Sequence, residues 1–432
     1  MLAYFFPPMG DGGVFRSLKL ARYLPAHDWE PVVVCGRPED YWVRDDSLLD
    51  QLPADLEVHR VGGLTGQSLL RRLAGLRRRR GGAPAAGRRS SRGFARLRAL
   101  GDLLLVPDSY AGWIPAARRA ARRRLARGDI DLIYSSGPPD SAHRAALDLA
   151  RASGLPWVAD FRDPWFNLHL KAPPTPLHRW LHRRQEAAVL ARARVVAVTE
   201  GWRRRYAERC PRPPVLIRNG FDPADFADLP APAPPAPGAP LVILHAGKLS
   251  LTRSARPFLA GLARFLAARP AGARPVAVTF LGPRETDNEA AARELGLGDV
   301  VRFEDPVSHA ESLARQRAAD LLLLVKHDDA RYRDLIPGKF YEYAAAGRPV
   351  LAVTPPSELE DLLAAHGLGW TARPRAANVA GILAEAEAAL DAGWRPRPVP
   401  DDFTRPVQAA RMAALFDELA GGQGRSGSEE DA

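Results

Sequence analysis

Cysteine is scarce in this chain: 432 residues contain two, Cys35 and Cys210. Two thiols build neither a disulfide framework nor a thiolate metal cluster, and they fit a reducing cytoplasm. Long apolar runs are also missing. No stretch approaches the roughly 18 uninterrupted apolar residues that a membrane span needs. The start, Met1-Leu2-Ala3-Tyr4-Phe5-Phe6-Pro7-Pro8, lacks a basic region and a cleavage site, so no secretory signal is expected. Lysine is rare, five of 61 basic residues. Acids vanish from one window: residues 58 to 101 hold no Asp or Glu but twelve arginines, more than the net +11 of the whole chain. Two readings of that window stay open. It attracts an anionic surface, the inner membrane leaflet before nucleic acid, or it is a solvated arginine-rich loop. No aromatic-interleaved basic strand or zinc module accompanies it, so nucleic acid is not an expected partner.

What is present is ordinary for a soluble protein: 46% apolar and 26% charged residues. The length calls for two or three domains. Apolar runs and helical segments alternate, the pattern of an α/β protein with parallel sheets. In the first half strands are expected near 2–6, 30–34, 56–61, 132–135, 157–161, 195–198 and 215–217, with helices near 13–24, 116–127, 141–152, 176–191 and 201–210. Residues 64–101 read as a basic insertion. A proline-rich linker spans 223–240, too dense in proline for the interior of a helix or sheet. The alternation then restarts, with strands at 241–245, 276–281, 300–303, 321–325 and 350–353. Helices are expected at 256–268, 288–295, 308–317, 358–365 and 377–392. The expected domains are 1–222, 241–400, a C-terminal helix over 401–420 and a disordered tail over 421–432. Two doubly wound domains joined by a hinge imply a ligand cleft at the carboxyl ends of the strands.

Three segments combine residue types suited to a phosphorylated ligand. The richest is Asp334-Leu335-Ile336-Pro337-Gly338-Lys339-Phe340-Tyr341-Glu342, followed by a small-residue helix that breaks at Gly347. Its helix start offers backbone N–H groups and a positive dipole end. Lys339 adds a cation, and a carboxylate one turn on can accept hydrogen bonds from sugar hydroxyls. The second is Gly247-Lys248 with Arg253, where cations beside a strand end could neutralise a diphosphate; an exposed basic loop is the alternative. The third is the turn Gly10-Asp11-Gly12-Gly13 after the first strand, either a ligand loop or a packing turn. Two of the five lysines, Lys248 and Lys339, stand in these loops.

With these segments the chain resembles a retaining, nucleotide-sugar-dependent glycosyltransferase of family 4, with the two-Rossmann (GT-B) fold, over about residues 1 to 400. The resemblance rests on Phe6-Pro7-Pro8 with Gly12-Gly13, on Asp160-Phe161-Arg162-Asp163-Pro164-Trp165, and on Arg218-Asn219-Gly220-Phe221-Asp222. Gly247-Lys248 with Arg253 and the acid pair Asp334 and Glu342 complete it. It implies that Lys248 and Arg253 grip the donor diphosphate, that Glu342 holds the nucleotide ribose, and that Asp334 contacts the donor sugar. It implies that Gly12 and Gly13 close over the donor and that the backbone of 303–307 lies near the base. Gly247, Lys339, Arg162 and Asn219 join the expected donor-binding set. The chain departs from the family pattern twice: Asp334 is one methylene shorter than the usual Glu, and Arg162 stands where many members have histidine.

The implied reaction moves a sugar from a nucleotide donor to a glycan or lipid-linked acceptor, with retention, in cell-surface polysaccharide or glycoconjugate synthesis. Stabilising the leaving diphosphate is the main chemical demand. The acceptor base is either Asp163 or the leaving phosphate, and Asp163 also suits a structural cap before Pro164. No cofactor or metal is expected: Asp45-Asp46 and Asp328-Asp329 read as surface acids, and His143, His169 and His182 as structural. A sugar-nucleotide epimerase of the same fold and a non-catalytic membrane-associated scaffold are the competing readings. The expected location is the cytoplasm, with peripheral contact to the inner leaflet through 58–101.

Overall fold

The computed structural model describes residues 1–63, 105–165, 173, 175–232, 238–249 and 253–421. The basic insertion and the tail expected at 421–432, apart from Gly421, lie outside the described residues. The chain divides into two compact units, Met1–Arg218 with the segment from Arg405 onward, and Asn219–Thr404.

Unit 1 is a parallel sheet flanked by helices. Its strands are β1 (Val33–Cys35), β2 (Val58–Arg60), β3 (Ile133–Gly137), β4 (Trp157–Phe161), β5 (Arg194–Ala197) and β6 (Val215–Leu216). β1 pairs with β2, and β3, β4, β5 and β6 pair in sequence. The expected first strand at 2–6 shrinks to bridges from Leu2 to Val34 on one side and Ser135 on the other. Those bridges still join the two groups of strands, with Leu2 N–H donating to Tyr134 O at 2.7 Å and Ala3 N–H to Val34 O at 3.1 Å. Pro7 and Pro8 follow at once and have no N–H to continue the ladder. The helices are α1 (Phe15–Tyr23), α2 (Ile114–Leu125), α3 (Ser141–Ser153), α4 (Pro176–Arg192) and α5 (Glu200–Ala207). Thr175 and Thr199 cap α4 and α5 by accepting from the N–H of the third residue of each helix, His178 and Trp202.

Unit 2 has six strands in the order β12-β11-β10-β7-β8-β9, all parallel. They are β7 (Leu241–Ala246), β8 (Val276–Leu281), β9 (Val301–Glu304), β10 (Leu321–Val325), β11 (Val350–Val353) and β12 (Gly369–Ala372). Counted within the unit, this order is the 3-2-1-4-5-6 of a Rossmann sheet. Leu321–Val325 and Val350–Val353 are buried at every position, as expected of parallel strands covered on both faces. The covering helices are α6 (Arg256–Ala268), α7 (Thr286–Glu294), α8 (His309–Ala318), α9 (Lys339–Ala345), α10 (Glu358–His366) and α11 (Ala376–Asp391).

Two domain expectations change. The linker at 223–240 is not a separate spacer over its described part. Phe226 is buried in the unit 2 core, and Arg317 Nη1 donates to the carbonyls of Leu229 and Pro230 at 2.7 and 3.1 Å. The first unit therefore ends at Arg218 instead of 222. The C-terminal helix expected over 401–420 also divides. Asp401–Phe403 is a short 3-10 turn of unit 2, whereas α12 (Arg405–Gly421) returns to unit 1. There Met412, Ala413 and Phe416 pack with Leu20, Tyr134, Val158 and Ile217.

Candidate active site

In unit 2 the residues expected around a diphosphate gather at the carboxyl end of β7. Gly247, the first residue after that strand, has φ +114°, and a Cβ there would lie 2.6 Å from Lys339 Nζ. Only glycine suits both the backbone and the space. The α9 helix is fastened to the strand end by Tyr343, whose hydroxyl accepts the Ala246 N–H at 2.7 Å. Lys339 is thereby held over Gly247. Its Nζ lies 3.4 Å from Nε2 of His245. His245 Nδ1 lies 2.8 Å from Leu323 O; a carbonyl only accepts, so Nδ1 carries the proton and Nε2 faces the lysine as an acceptor. Burial lowers the pKa of His245 well below the usual imidazole value, reinforced by Lys339, so the ring is neutral. Burial, then nearby Arg253, lowers Lys339 to about 7, with Glu342 opposing.

Arg253 completes the cationic group. Its Nε is buried with no hydrogen-bond partner among the described residues, and burial lowers its pKa against the pull of Glu285. Burial in turn raises the pKa of Glu285, with Lys248 and Arg253 opposing. Lys248 is exposed. Three basic side chains, Lys248, Arg253 and Lys339, thus stand against two carboxylates, Glu285 and Glu342, and the buried Nε donor of Arg253 suits an anionic guest.

Beside this group is a pocket whose lining includes Gly247, Phe280, Gly282, Glu285, Asn288 and Phe303. The Phe280 and Phe303 rings are parallel to within 12°, with centroids 5.1 Å apart. Of the segment 303–307, expected near the base, Phe303 lines this pocket.

The two acids separate. Glu342 Oε1 lies 3.4 Å from His309 Nε2, and both side chains are half-buried. Asp334 lies in the field of Lys326, a buried lysine directly after β10 whose Nζ donates to Arg333 O at 2.9 Å. Burial lowers Lys326 to about 7, with Asp334 and then Glu358 opposing. The helix start also differs from expectation. The N–H groups of Phe340 and Tyr341 already donate to Pro337 O and Gly338 O at 3.0 and 3.1 Å, so the seven-residue α9 offers fewer open donors than its sequence suggested.

In unit 1 Gly12 and Gly13 lie between Leu2 and α1. A Cβ at Gly12 would meet nothing within 4 Å, so backbone there is open to approach, but its N–H is held by Asp11 Oδ1 at 2.7 Å. The Arg162 guanidinium donates to the carbonyls of Gly13, Pro138 and Gly137. It braces the first loop, which puts its expected contact with donor in second place. Asp163 follows it and counters the burial that lowers the Arg162 pKa. Asn219 is half-buried at the first position of unit 2. His143 is structural: its Nδ1 meets Ser135 Oγ at 2.8 Å and its ring stacks on Phe161.

His245, Lys326, His309 and Glu285 did not stand out in the sequence. The first two could have been found by position, because His245 is the penultimate residue of β7 and Lys326 the first after β10. Among the described residues no group of three or more His, Cys, Asp or Glu is placed to hold a metal ion. No helix there is long and apolar enough to cross a membrane.

Two parallel Rossmann-like sheets, with cations and an aromatic pocket at strand ends, define a protein of the GT-B fold. Solved structures carry the same fold. A sucrose-phosphate synthase from Thermosynechococcus elongatus is 15% identical, with TM-score 0.58, over 98% of this chain and 97% of that one. HepE of Anabaena, in complex with UDP, is 15% identical with TM-score 0.55 over 99% of each chain. WaaG, a glycosyltransferase involved in lipopolysaccharide biosynthesis, is 15% identical with TM-score 0.54 over 99% of this chain and 100% of that one. No curated protein matches by sequence. Residues 78–225 match the model of Glycosyltransferase Family 4, and the chain is a glycosyltransferase.

Proposed function

We propose that unit 2 binds a nucleoside diphosphate sugar at the end of β7 and that the enzyme transfers the sugar, with retention, to a glycan or lipid-linked acceptor. The observation that carries this reading is Lys339 Nζ held over the bare Cα of Gly247, within the field of the half-buried Arg253 and beside the Phe280–Phe303 pocket. In the proposed mechanism the pocket takes the base and Glu342 takes the ribose diol. Departure of the diphosphate builds negative charge next to Lys339, Arg253 and Lys248, which stabilise it without reorganising. Asp334, in the field of Lys326, contacts the sugar. Gly12 and Gly13 serve the donor, with Arg162 bracing their loop, and Asn219 is a further donor contact. The acceptor proton goes to Asp163 or to the departing phosphate. No metal or other cofactor takes part in this proposal.

The likeness to HepE, solved with UDP, makes uridine nucleotides the first probe, and the likeness to WaaG favours a cell-surface glycan acceptor. A cytoplasmic location with peripheral contact to the inner leaflet through 58–101 belongs to the same proposal. The test is a thermal-shift panel of UDP, GDP, ADP, CMP and dTDP with their sugars. One class should stabilise the wild type by mass action and fail to stabilise Glu342→Ala. A response that survives in Glu342→Ala, or is absent for every nucleotide, sinks the assignment. Formation of an isomerised nucleotide sugar with no glycosidic product would favour an epimerase.

A further inference from the structure

The amino ends of the unit 2 strands carry a second cluster of cations. Arg274 precedes β8, Asp320 precedes β10, and Arg348 and Pro349 precede β11, whereas the donor residues follow the carboxyl ends of the strands. The five residues of β10, at about 3.3 Å each, separate the two ends by about 16 Å. A pocket lies here, lined by Arg274, Asp320, Arg348, Pro349, Leu390 and Arg395 among others.

Its polar groups are unevenly matched. Arg348 is 7% exposed, and its Nε donates to Arg317 O at 2.8 Å. Burial lowers its pKa; Asp320 opposes this and Arg395 adds to it. Arg274 has Nε and Nη2 buried without a well-formed hydrogen bond. Glu387 Oε1 is 3.6 Å from Nε, and Asp391 Oδ1 is 3.2 Å from Nη2. Glu387 is also shared with Arg269. Asp320, the carboxylate of the lining, is committed in part to the sheet, since Oδ2 accepts the Val242 N–H at 2.9 Å. Arg395 is exposed at the rim. Three guanidinium groups thus line a pocket whose one lining carboxylate is Asp320, while Glu387 and Asp391 approach Arg274 from outside the lining and Glu387 is shared with Arg269. Water would satisfy the donors but leave the excess charge. A tetrahedral oxyanion satisfies both, because the planar fork of arginine matches its oxygens two at a time.

We propose that this pocket binds a phosphoryl group, either as free phosphate or on a small phosphorylated metabolite. The site is independent of the donor assignment. The α9 helix, whose Lys339 faces the donor end, runs through Gly347 (φ +69°) directly into Arg348, so one short segment serves both places.

Calorimetric titration of the full chain with inorganic phosphate and, separately, with glucose 6-phosphate tests the proposal. Binding by either ligand is expected in the wild type and in Lys339→Met/Arg253→Ala, which removes two of the three donor-end cations and leaves Lys248. Arg395→Glu reverses charge at an exposed position and should weaken binding by about tenfold or more. Arg274→Gln should do the same. Preference between the two ligands identifies the source of the phosphoryl group. Absence of binding by both ligands overturns the proposal. So does binding that is lost in Lys339→Met/Arg253→Ala and unchanged in Arg395→Glu.

Discussion

Lys339 Nζ occupies the space in which Gly247 would carry a side chain: a Cβ at that glycine would stand 2.6 Å from the ammonium. The missing methyl is what allows the cation to lie against the end of β7. Gly247→Ala therefore incurs two costs, a left-handed backbone at φ +114° and displacement of Lys339. The expected outcome is a loss of kcat comparable to removing the cation by Lys339→Met, about 10²–10³-fold. Circular dichroism should remain native in Lys339→Met. Steady-state transfer assays on both variants check this; wild-type kcat in Gly247→Ala would remove Lys339 from the reaction.

The lowered pKa of Lys339, about 7, makes donor binding sensitive to pH. A bound diphosphate favours the charged ammonium and so raises the pKa of Lys339. Above pH 7 the free site must take up a proton as the nucleotide binds. Affinity should therefore fall as pH rises from about 7 to 9. Titration at pH 8 in buffers of different ionisation enthalpy should reveal net proton uptake, and Lys339→Met should abolish it. Equal heats in all buffers for the wild type would contradict the assignment.

A different buried charge organises unit 1. Arg16 donates to both oxygens of Asp160 at 2.6 and 2.9 Å, and to the carbonyls of Arg218 and Ile217 at 2.8 and 3.0 Å. Both side chains of the pair are almost fully buried, at 3% and 0% exposure. Tyr134 adds a third hydrogen bond to Asp160. Asp160→Ala leaves the guanidinium buried without its counter-ion and should destabilise by about 3–5 kcal/mol. Arg16→Met/Asp160→Ala should cost less than Arg16→Met and Asp160→Ala added, because no orphaned charge remains. Urea unfolding of the four proteins measures this coupling, and strict additivity would refute it.

Much of the fold was legible because its signals were local. The apolar runs at 321–325 and 350–353 had no alternative to buried strands, and Arg256–Ala268 was bounded by a proline at its start and an apolar periodicity. β12 escaped because Gly369-Trp370-Thr371-Ala372 is short and only partly buried. Its place depends on Gly369 meeting Val350 O, where a Cβ would stand 2.1 Å away. The loops of the candidate site were visible as glycine, lysine and acid spacings. The residues that set their charge were not, since Lys326 and His245 look like chance polar residues beside apolar runs. Nothing local marks Arg16 for burial; only the distant Asp160 explains it. The return of α12 to unit 1 is a tertiary fact with no mark in the local sequence.

Lys326 provides the last prediction, because its burial affects stability and chemistry in different ways. It is 3% exposed, and burial lowers its pKa to about 7 while Asp334 and Glu358 oppose. In the unfolded chain the same amine titrates near its ordinary value of about 10.4. Between those two values the unfolded state holds more protons than the folded state, so the ligand-free protein gains stability as pH rises from about 7 toward 10. Below pH 7 the folded state carries the full penalty of a buried charge. Lys339, also lowered to about 7, contributes a slope of the same sign. Lys326→Met should flatten part of the rise in the urea midpoint across this range. It should also lower kcat, because Asp334 loses the cation that faces it, while affinity for the bare nucleotide stays near wild type. An unchanged stability slope would place Lys326 in water instead of the protein interior. A kcat equal to wild type would separate Lys326 from the positioning of Asp334.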